Sequence, residues 1–361
     1  MAEQVSLARK EFGMPRGLFV DAPQHAILAD YTDALLQPDQ VRFRAEFAAV
    51  KHGTMFHIFS GESPFQEQRF DPALRLFVPT PPDAPNGAPG FVGQFIGNMA
   101  VGEVTDVGGA VAGFAPGDRV YCYGPVAETV TKSAAALHHL PPELSPGDAV
   151  CLDPALYAYA ALRDARISLG DRVAVSGMGA IGLSLIQLLA RAGCGEIVAV
   201  DPLPKRRALA QRYGATATLD PAAEDVGLAV RRLLGGPADV AIEASGNYRA
   251  LYGAMRSVGK CGRIVTLGYY KGDHSHLPFG AEWHHNRLEL ISSMPVWDNP
   301  SREAPHWDLA RLEAAVVDFY RRGWLTSAGL ADPIVPFAQA AESFMDTFHD
   351  PTNAIKLCVQ F

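Results

Sequence analysis

The sequence predicts an α/β protein of two domains, one β-rich and one a doubly wound parallel sheet with helices on both faces. Three observations carry this. The chain has 361 residues, more than one hydrophobic core organises well. From Val41 to Val130 it runs in short alternating apolar stretches cut by Gly and Pro. Beyond Leu152 short β-branched runs alternate with amphipathic segments, as strands and helices do in a parallel sheet.

The β-rich part is legible in Val41-Arg42-Phe43-Arg44-Ala45 and Val101-Gly102-Glu103-Val104-Thr105-Asp106-Val107, where alternation marks half-buried strands. The Pro-dense stretch from Pro79 to Pro89 reads as a surface loop. Tyr157 to Ala165 reads as a helix, and the strands expected after it are Arg172–Ser176, Glu196–Val200, Thr216–Leu219, Val240–Ala244, Arg263–Leu267 and Leu288–Ser292. A helix from Asp308 to Arg322 leads into an alternating tail, Pro333 to Phe361, expected to return to the first domain. The expected boundaries are 1–152 completed by 305–361 for the β-rich domain, and 153–304 for the parallel sheet.

A net charge of -8 repels nucleic acid and anionic membranes, which excludes both as main partners and leaves a small-molecule ligand. No apolar run reaches the roughly 18 residues of a membrane span. Residues 1–19 lack the hydrophobic block of a signal peptide, so a cytoplasmic protein is expected. The cysteines Cys122, Cys151, Cys194, Cys261 and Cys358 are scattered without a Cys-x-x-Cys pair. That fits neither a disulfide framework nor a structural zinc site, and they read as reduced, buried, small apolar residues.

Arg172–Ser176 runs directly into Gly177-Met178-Gly179-Ala180-Ile181-Gly182 and then a long apolar helix. Between a strand and a helix, this glycine spacing lets backbone approach a pyrophosphate at the positive helix end, the arrangement of a Rossmann unit. The next strand ends in Asp201, whose carboxylate accepts the adenosine ribose hydroxyls and repels a 2′-phosphate, favouring NAD over NADP. Lys205, Arg206 and Arg207 follow. They would soften that preference, with Arg206 a candidate cofactor contact, or form a solvated helix face.

At this point the chain resembles the medium-chain dehydrogenase/reductase superfamily, which contains the zinc alcohol dehydrogenases and sorbitol dehydrogenases. The resemblance covers nearly the whole chain. It rests on Gly97 with Gly102-Glu103-Val104, on Gly117-Asp118-Arg119-Val120, on Gly177 to Gly182 with Asp201, on Glu243-Ala244-Ser245-Gly246, and on Gly262-Arg263-Ile264-Val265-Thr266-Leu267-Gly268. It implies a GroES-like catalytic domain built from both chain ends, an inserted Rossmann domain and an active site in the cleft, with Ser245 and Gly268 beside the cofactor. It also implies a homodimer or homotetramer joined at the strand Leu288–Ser292.

The chain departs from the family's zinc pattern. Where zinc members carry a Cys in Cys-Gly-Thr-Asp-x-His, the His of Gly-His-Glu and a third Cys or Glu, this sequence has His52-Gly53-Thr54-Met55-Phe56-His57, Gly97-Asn98-Met99 and Asp153-Pro154. Imidazole, neutral amide and carboxylate make a poor zinc set. Met55 and Met99 replace the carboxylates that would orient ligands. Nor do four cysteines follow Val120 to hold a structural zinc.

The resemblance places Thr54 and His57 where a hydroxyl and a surface His relay the alcohol proton, pointing to alcohol–carbonyl chemistry. Without zinc, the groups available at the substrate oxygen are Lys51, His52, Asn98 and Tyr157. His52 is the expected general base, its tautomer fixed by Asp153, because an ordinary imidazole titrates near working pH. Each residue also has a plainer reading: His52 as filler of vacated metal space, Lys51 as a solvated side chain, His57 as a surface His, Asn98 as a structural hydrogen-bonder. The segment Glu282-Trp283-His284-His285-Asn286-Arg287, after His274 and His276, offers His284 and His285 as donors to a hydroxyl-rich substrate, or else is an interface or solvated turn. Together with Gly268-Tyr269-Tyr270 it resembles a zinc-free branch labelled bacteriochlorophyllide dehydrogenase-like.

The expectation is a zinc-independent NAD(H) oxidoreductase acting on a polyol, cyclitol or sugar-derived secondary alcohol. The alternatives are a quinone or enoyl reductase, a bacteriochlorophyllide-type hydroxyethyl oxidation, and a non-catalytic NAD-binding protein.

Overall fold

A computed structural model describes residues 14–61, 68–80, 92–270, 274–275, 277–296, 299 and 301–361; the side chains of Thr54, His57 and Ile58 lie outside the described set. So do 81–89 of the Pro-dense stretch, and His276. The chain forms two units, 1–150 with 331–361, and 151–330.

In the first unit an antiparallel hairpin pairs β1 (Arg16–Ala22) with β2 (His25–Asp30), and a second pairs β4 (Gln68–Asp71) with β5 (Leu76–Pro79). The main sheet has seven strands. They are β3 (Gln40–Val50), β6 (Gly97–Val107), β7 (Arg119–Pro125), β8 (Thr129–Ser133), β9 (His138–His139), β16 (Ile334–Pro336) and β17 (Cys358–Gln360). Their order is β16-β17-β3-β6-β7-β9, with β8 also on β3. β3 alternates in burial at its start and is continuously buried at its end, Ala48 to Val50, where it runs between β17 and β6. The helix His52–Phe59 follows at once. Phe56 and Phe59 fix it by edge-on packing against Phe344, at centroid distances of 5.6 and 5.1 Å.

In the second unit six strands run in parallel: β10 (Arg172–Ser176), β11 (Glu196–Val200), β12 (Ala217–Leu219), β13 (Ala238–Glu243), β14 (Val258–Thr266) and β15 (Glu289–Ser292). The order β12-β11-β10-β13-β14-β15 reverses direction between β10 and β13, which creates a crevice at the carboxyl ends of the strands. Buried Val, Ile and Ala fill the strands, as burial on both faces requires. All six expected strands form, with ends displaced by at most a few residues except at β14, which starts five residues early at Val258.

The domain boundary is corrected. Residues 305–330 belong with the parallel sheet, because the helix Leu309–Arg321 buries Leu312, Val316 and Tyr320. Phe319 on that helix packs its ring 5.0 Å from Tyr159 of the helix Leu152–Asp164. The cysteines divide as well. Cys122, Cys151 and Cys358 are buried and Cys194 half-buried, but Cys261 is exposed at a left-handed kink with φ 57°. Among the described residues no helix is long and apolar enough to cross a membrane.

Candidate active site

The turn after β10 is built on close approach. Gly177 has φ +90°, and a Cβ there would lie 2.8 Å from the Ser245 backbone nitrogen. A Cβ on Gly182 would lie 1.8 Å from the Gly177 carbonyl oxygen, so helix and turn pack backbone to backbone. Gly179 caps the helix Ala180–Arg191 without a side-chain bond, so Ala180, Ile181 and Gly182 open a first turn whose amides suit an anion.

Asp201 is 3% exposed. Its Oδ2 accepts the Met178 amide at 2.7 Å and its Oδ1 the Leu203 amide at 2.8 Å. The carboxylate thus ties β11 to the glycine turn and keeps a lone pair on each oxygen for a ribose hydroxyl. Arg207 is committed locally, donating to the Asp201 carbonyl at 2.6 Å and pairing with Asp220 at 3.1 Å. Burial pulls the pKa of Arg206 down, against the opposing charge of Asp201.

Glu243 is a residue whose role the sequence did not reveal, although its motif was recognised. It is fully buried at the end of β13. It accepts the amides of Ser245 at 2.7 Å and Gly246 at 3.0 Å, and the hydroxyls of Ser245 and Tyr270. Burial nevertheless raises its pKa, against the lowering effect of those hydrogen bonds. This network holds Ser245 against Gly177, and Gly268 packs so closely that a Cβ on it would lie 2.2 Å from the Gly246 nitrogen.

In the first unit a polar cluster gathers where β3, β6 and β17 meet the helix His52–Phe59. Val50 is registered with Asn98 across β3 and β6. The Val50 amide donates to the Leu357 carbonyl at 3.0 Å, and the Leu357 amide donates to His52 Nε2 at 3.0 Å. His52 also stacks on Phe56, its ring 5.0 Å away and 9° from parallel. Lys51 stands immediately before the helix, its carbonyl accepting the Met55 amide at 2.9 Å. Thr54 and His57 fall on the helix itself.

Lys356 is at the centre of this cluster and was not anticipated. It is 3% exposed, and its Nζ donates to Asn98 Oδ1 at 3.0 Å and to the Val50 carbonyl at 3.3 Å. The sequence signal for it was a single cation inside the apolar run Ala354-Ile355-Lys356-Leu357-Cys358-Val359.

His52 Nε2 is engaged by the Leu357 amide, an arrangement that leaves the ring proton on Nδ1 and favours a positioning role over that of general base. His284 and His285 are exposed on the helix Glu282–Asn286. That helix feeds the amino end of β15, whereas the glycine turn leaves the carboxyl end of the parallel strand β10, so the pair sits at the opposite edge of the sheet from the cofactor turn. Asp153 is buried and Tyr157 half-buried on the helix Leu152–Asp164 of the second unit.

The residues present do not fit zinc. The Asn98 oxygen already accepts the Lys356 ammonium at 3.0 Å, and that cation would repel a metal ion bound beside it. Metal binding at His52 Nδ1 would move the ring proton to Nε2, against the Leu357 N–H. Among the described residues no three His, Cys, Asp or Glu side chains gather as a metal site. The glycine turn, by contrast, fits a dinucleotide.

Residues 180–298 match the zinc-binding dehydrogenase family model. The D-guloside 3-dehydrogenase of Escherichia coli (strain K12) is 37% identical over 350 residues, covering 95% of this chain and 99% of that protein. Among solved structures, 2R,3R-butanediol dehydrogenase from Bacillus subtilis superposes with a TM-score of 0.77 at 20% identity, covering 96% and 99% of the two chains. A protein described as a short chain alcohol dehydrogenase from E. coli CFT073, complexed with NADH, gives a TM-score of 0.74 at 16% identity, covering 96% and 99%. Full-length similarity to a sugar dehydrogenase, with the glycine turn and β-rich unit that the fold shares, makes this chain a dehydrogenase of the medium-chain, zinc-type alcohol dehydrogenase-like superfamily.

Proposed function

We propose that the protein is a metal-independent, NAD(H)-dependent dehydrogenase that interconverts a secondary alcohol and a ketone on a sugar-like, polyol or cyclitol substrate, a zinc-free member of its superfamily. The carrying observation is a pair of engaged acceptors: His52 Nε2 accepts the Leu357 amide and Asn98 Oδ1 accepts the Lys356 ammonium. The substrate class rests on the polarity of this cluster and on the likeness to D-guloside 3-dehydrogenase.

When bound, NAD supplies the acceptor for the hydride. This chain's residues do the rest. Gly177 to Gly182 cradle the pyrophosphate, and Asp201 accepts ribose hydroxyls, with Arg207 already paired to Asp220 and so withheld from a 2′-phosphate. Asn98 holds the Lys356 ammonium on its side-chain oxygen and so orients it. His52 positions the Lys356–Leu357 backbone instead of moving the proton. Thr54 and His57 carry the alcohol proton outward, in the order the superfamily resemblance gives them. A homodimer would form through β15, an edge strand whose Leu290 is 39% exposed.

The test is a panel of alkyl glycosides, polyols and cyclitols with NAD and with NADP, following reduced-cofactor absorbance. Turnover of hydroxyl-rich substrates with NAD supports the reading. Activity confined to quinones or enones would overturn it.

A further inference from the structure

We propose that Lys356 is a catalytic residue, its ammonium being the cation that stabilises the substrate oxygen as hydride leaves the adjoining carbon. This rests on the metal-independent reading above and names the group that replaces the metal's charge.

The backbone around Lys356 is pinned on every side. Its amide donates to the Asp332 carbonyl at 3.0 Å, and its carbonyl accepts the Asp332 amide at 3.0 Å. The next residue, Leu357, is held by Val50 through its carbonyl and by His52 through its amide. The side chain is almost wholly buried, yet its two acceptors are neutral oxygens, Asn98 Oδ1 and Val50 O. They use two of three ammonium protons, and no third acceptor is found among the described residues.

Burying an ammonium against neutral dipoles is unfavourable for folding, and a Met or Leu would fill the same space without that penalty. A cation retained there in place of an apolar side chain points to a use for its charge. The surroundings say how. Asn98 and the His52 helix start are the positions where the superfamily resemblance puts metal ligands, so the ammonium stands beside the place where a Lewis acid would meet the substrate oxygen.

The step balances without a metal. The alcohol carbon's C–H electron pair passes as hydride to the bound nicotinamide, the C–O single bond becomes C=O, and the hydroxyl proton leaves to water through the Thr54 and His57 positions. Lys356 neither gains nor loses a proton. It donates a hydrogen bond to an oxygen that is most negative in the alkoxide-like transition state, where a preorganised cation in a dry site acts most strongly. Asn98 and His52 are positioning residues, the first aiming the ammonium and the second fixing its backbone.

The experiment compares Lys356→Met, Lys356→Arg and Asn98→Asp with the wild type, using the best substrate of the panel with NAD. It measures kcat, its pH profile, NAD affinity by calorimetry, and melting temperature. Lys356→Met should lower kcat by about 10²–10³-fold, the range for losing one transition-state donor, with NAD affinity within about twofold and melting temperature equal or raised. Lys356→Arg should recover part of kcat. Asn98→Asp, which neutralises the ammonium in place, should also lower kcat and serves if Lys356→Met fails to fold.

A kcat unchanged in Lys356→Met, or NAD affinity lost while kcat is retained, would overturn the assignment. A fallen melting temperature with intact kcat would make Lys356 structural and overturn it too. These outcomes separate from failure of the parent reading, which would show as metal-dependent activity of the wild type whatever residue 356 is.

Discussion

The imidazole of His52 ends the hydrogen-bond ladder between β17 and β3, accepting an amide that a strand carbonyl would otherwise take. That role was not legible in the sequence, because the partner lies 305 positions away. Lys356 was hidden for the same reason: a lone cation in a terminal apolar run reads as an edge-strand lysine until its neighbours are known. Asp201, by contrast, was legible, since its distance from the glycine turn is fixed by one helix and one strand. On the proposed reading its carboxylate sets the cofactor preference. NAD should bind at least about tenfold more tightly than NADP, a difference of about 1.4 kcal/mol, because a 2′-phosphate would face a buried carboxylate while Arg207 is held by Asp220. Equal affinities in calorimetry would contradict this.

At the scale of elements, the parallel strands were readable from their β-branched runs, and β10 and β11 begin and end where expected. The closing helix was readable too, and the structure shows Asp308 capping it by accepting the Arg311 amide at 2.9 Å. Which unit that helix joins was not, since an amphipathic face states that it is buried and not against what. The loop after β13 carries a pH signature of its own. Burial raises the Glu243 pKa in the folded protein, so between the ordinary carboxylate range and the raised value the folded state holds a proton that the unfolded state has lost. The stability this contributes is complete below the ordinary range and falls as pH rises through the folded pKa. Glu243→Gln should therefore flatten the decline of melting temperature with pH across that window. An unchanged slope would show that Glu243 does not titrate there.

For the whole molecule, the two-unit division and the α/β class followed from where the periodicity changes. The polar cluster in the first unit did not, because it joins residues from three separated stretches of chain: Val50 to His52, Asn98, and Lys356 to Leu357. The most direct measurement of the central claim is the zinc content of the purified, active protein by elemental analysis, paired with the rate of NADH formation before and after exhaustive chelation. A metal-independent enzyme should hold far less than one zinc per chain and keep a rate that chelation leaves unchanged. About one zinc per chain, with activity that chelators remove and zinc restores, would contradict it.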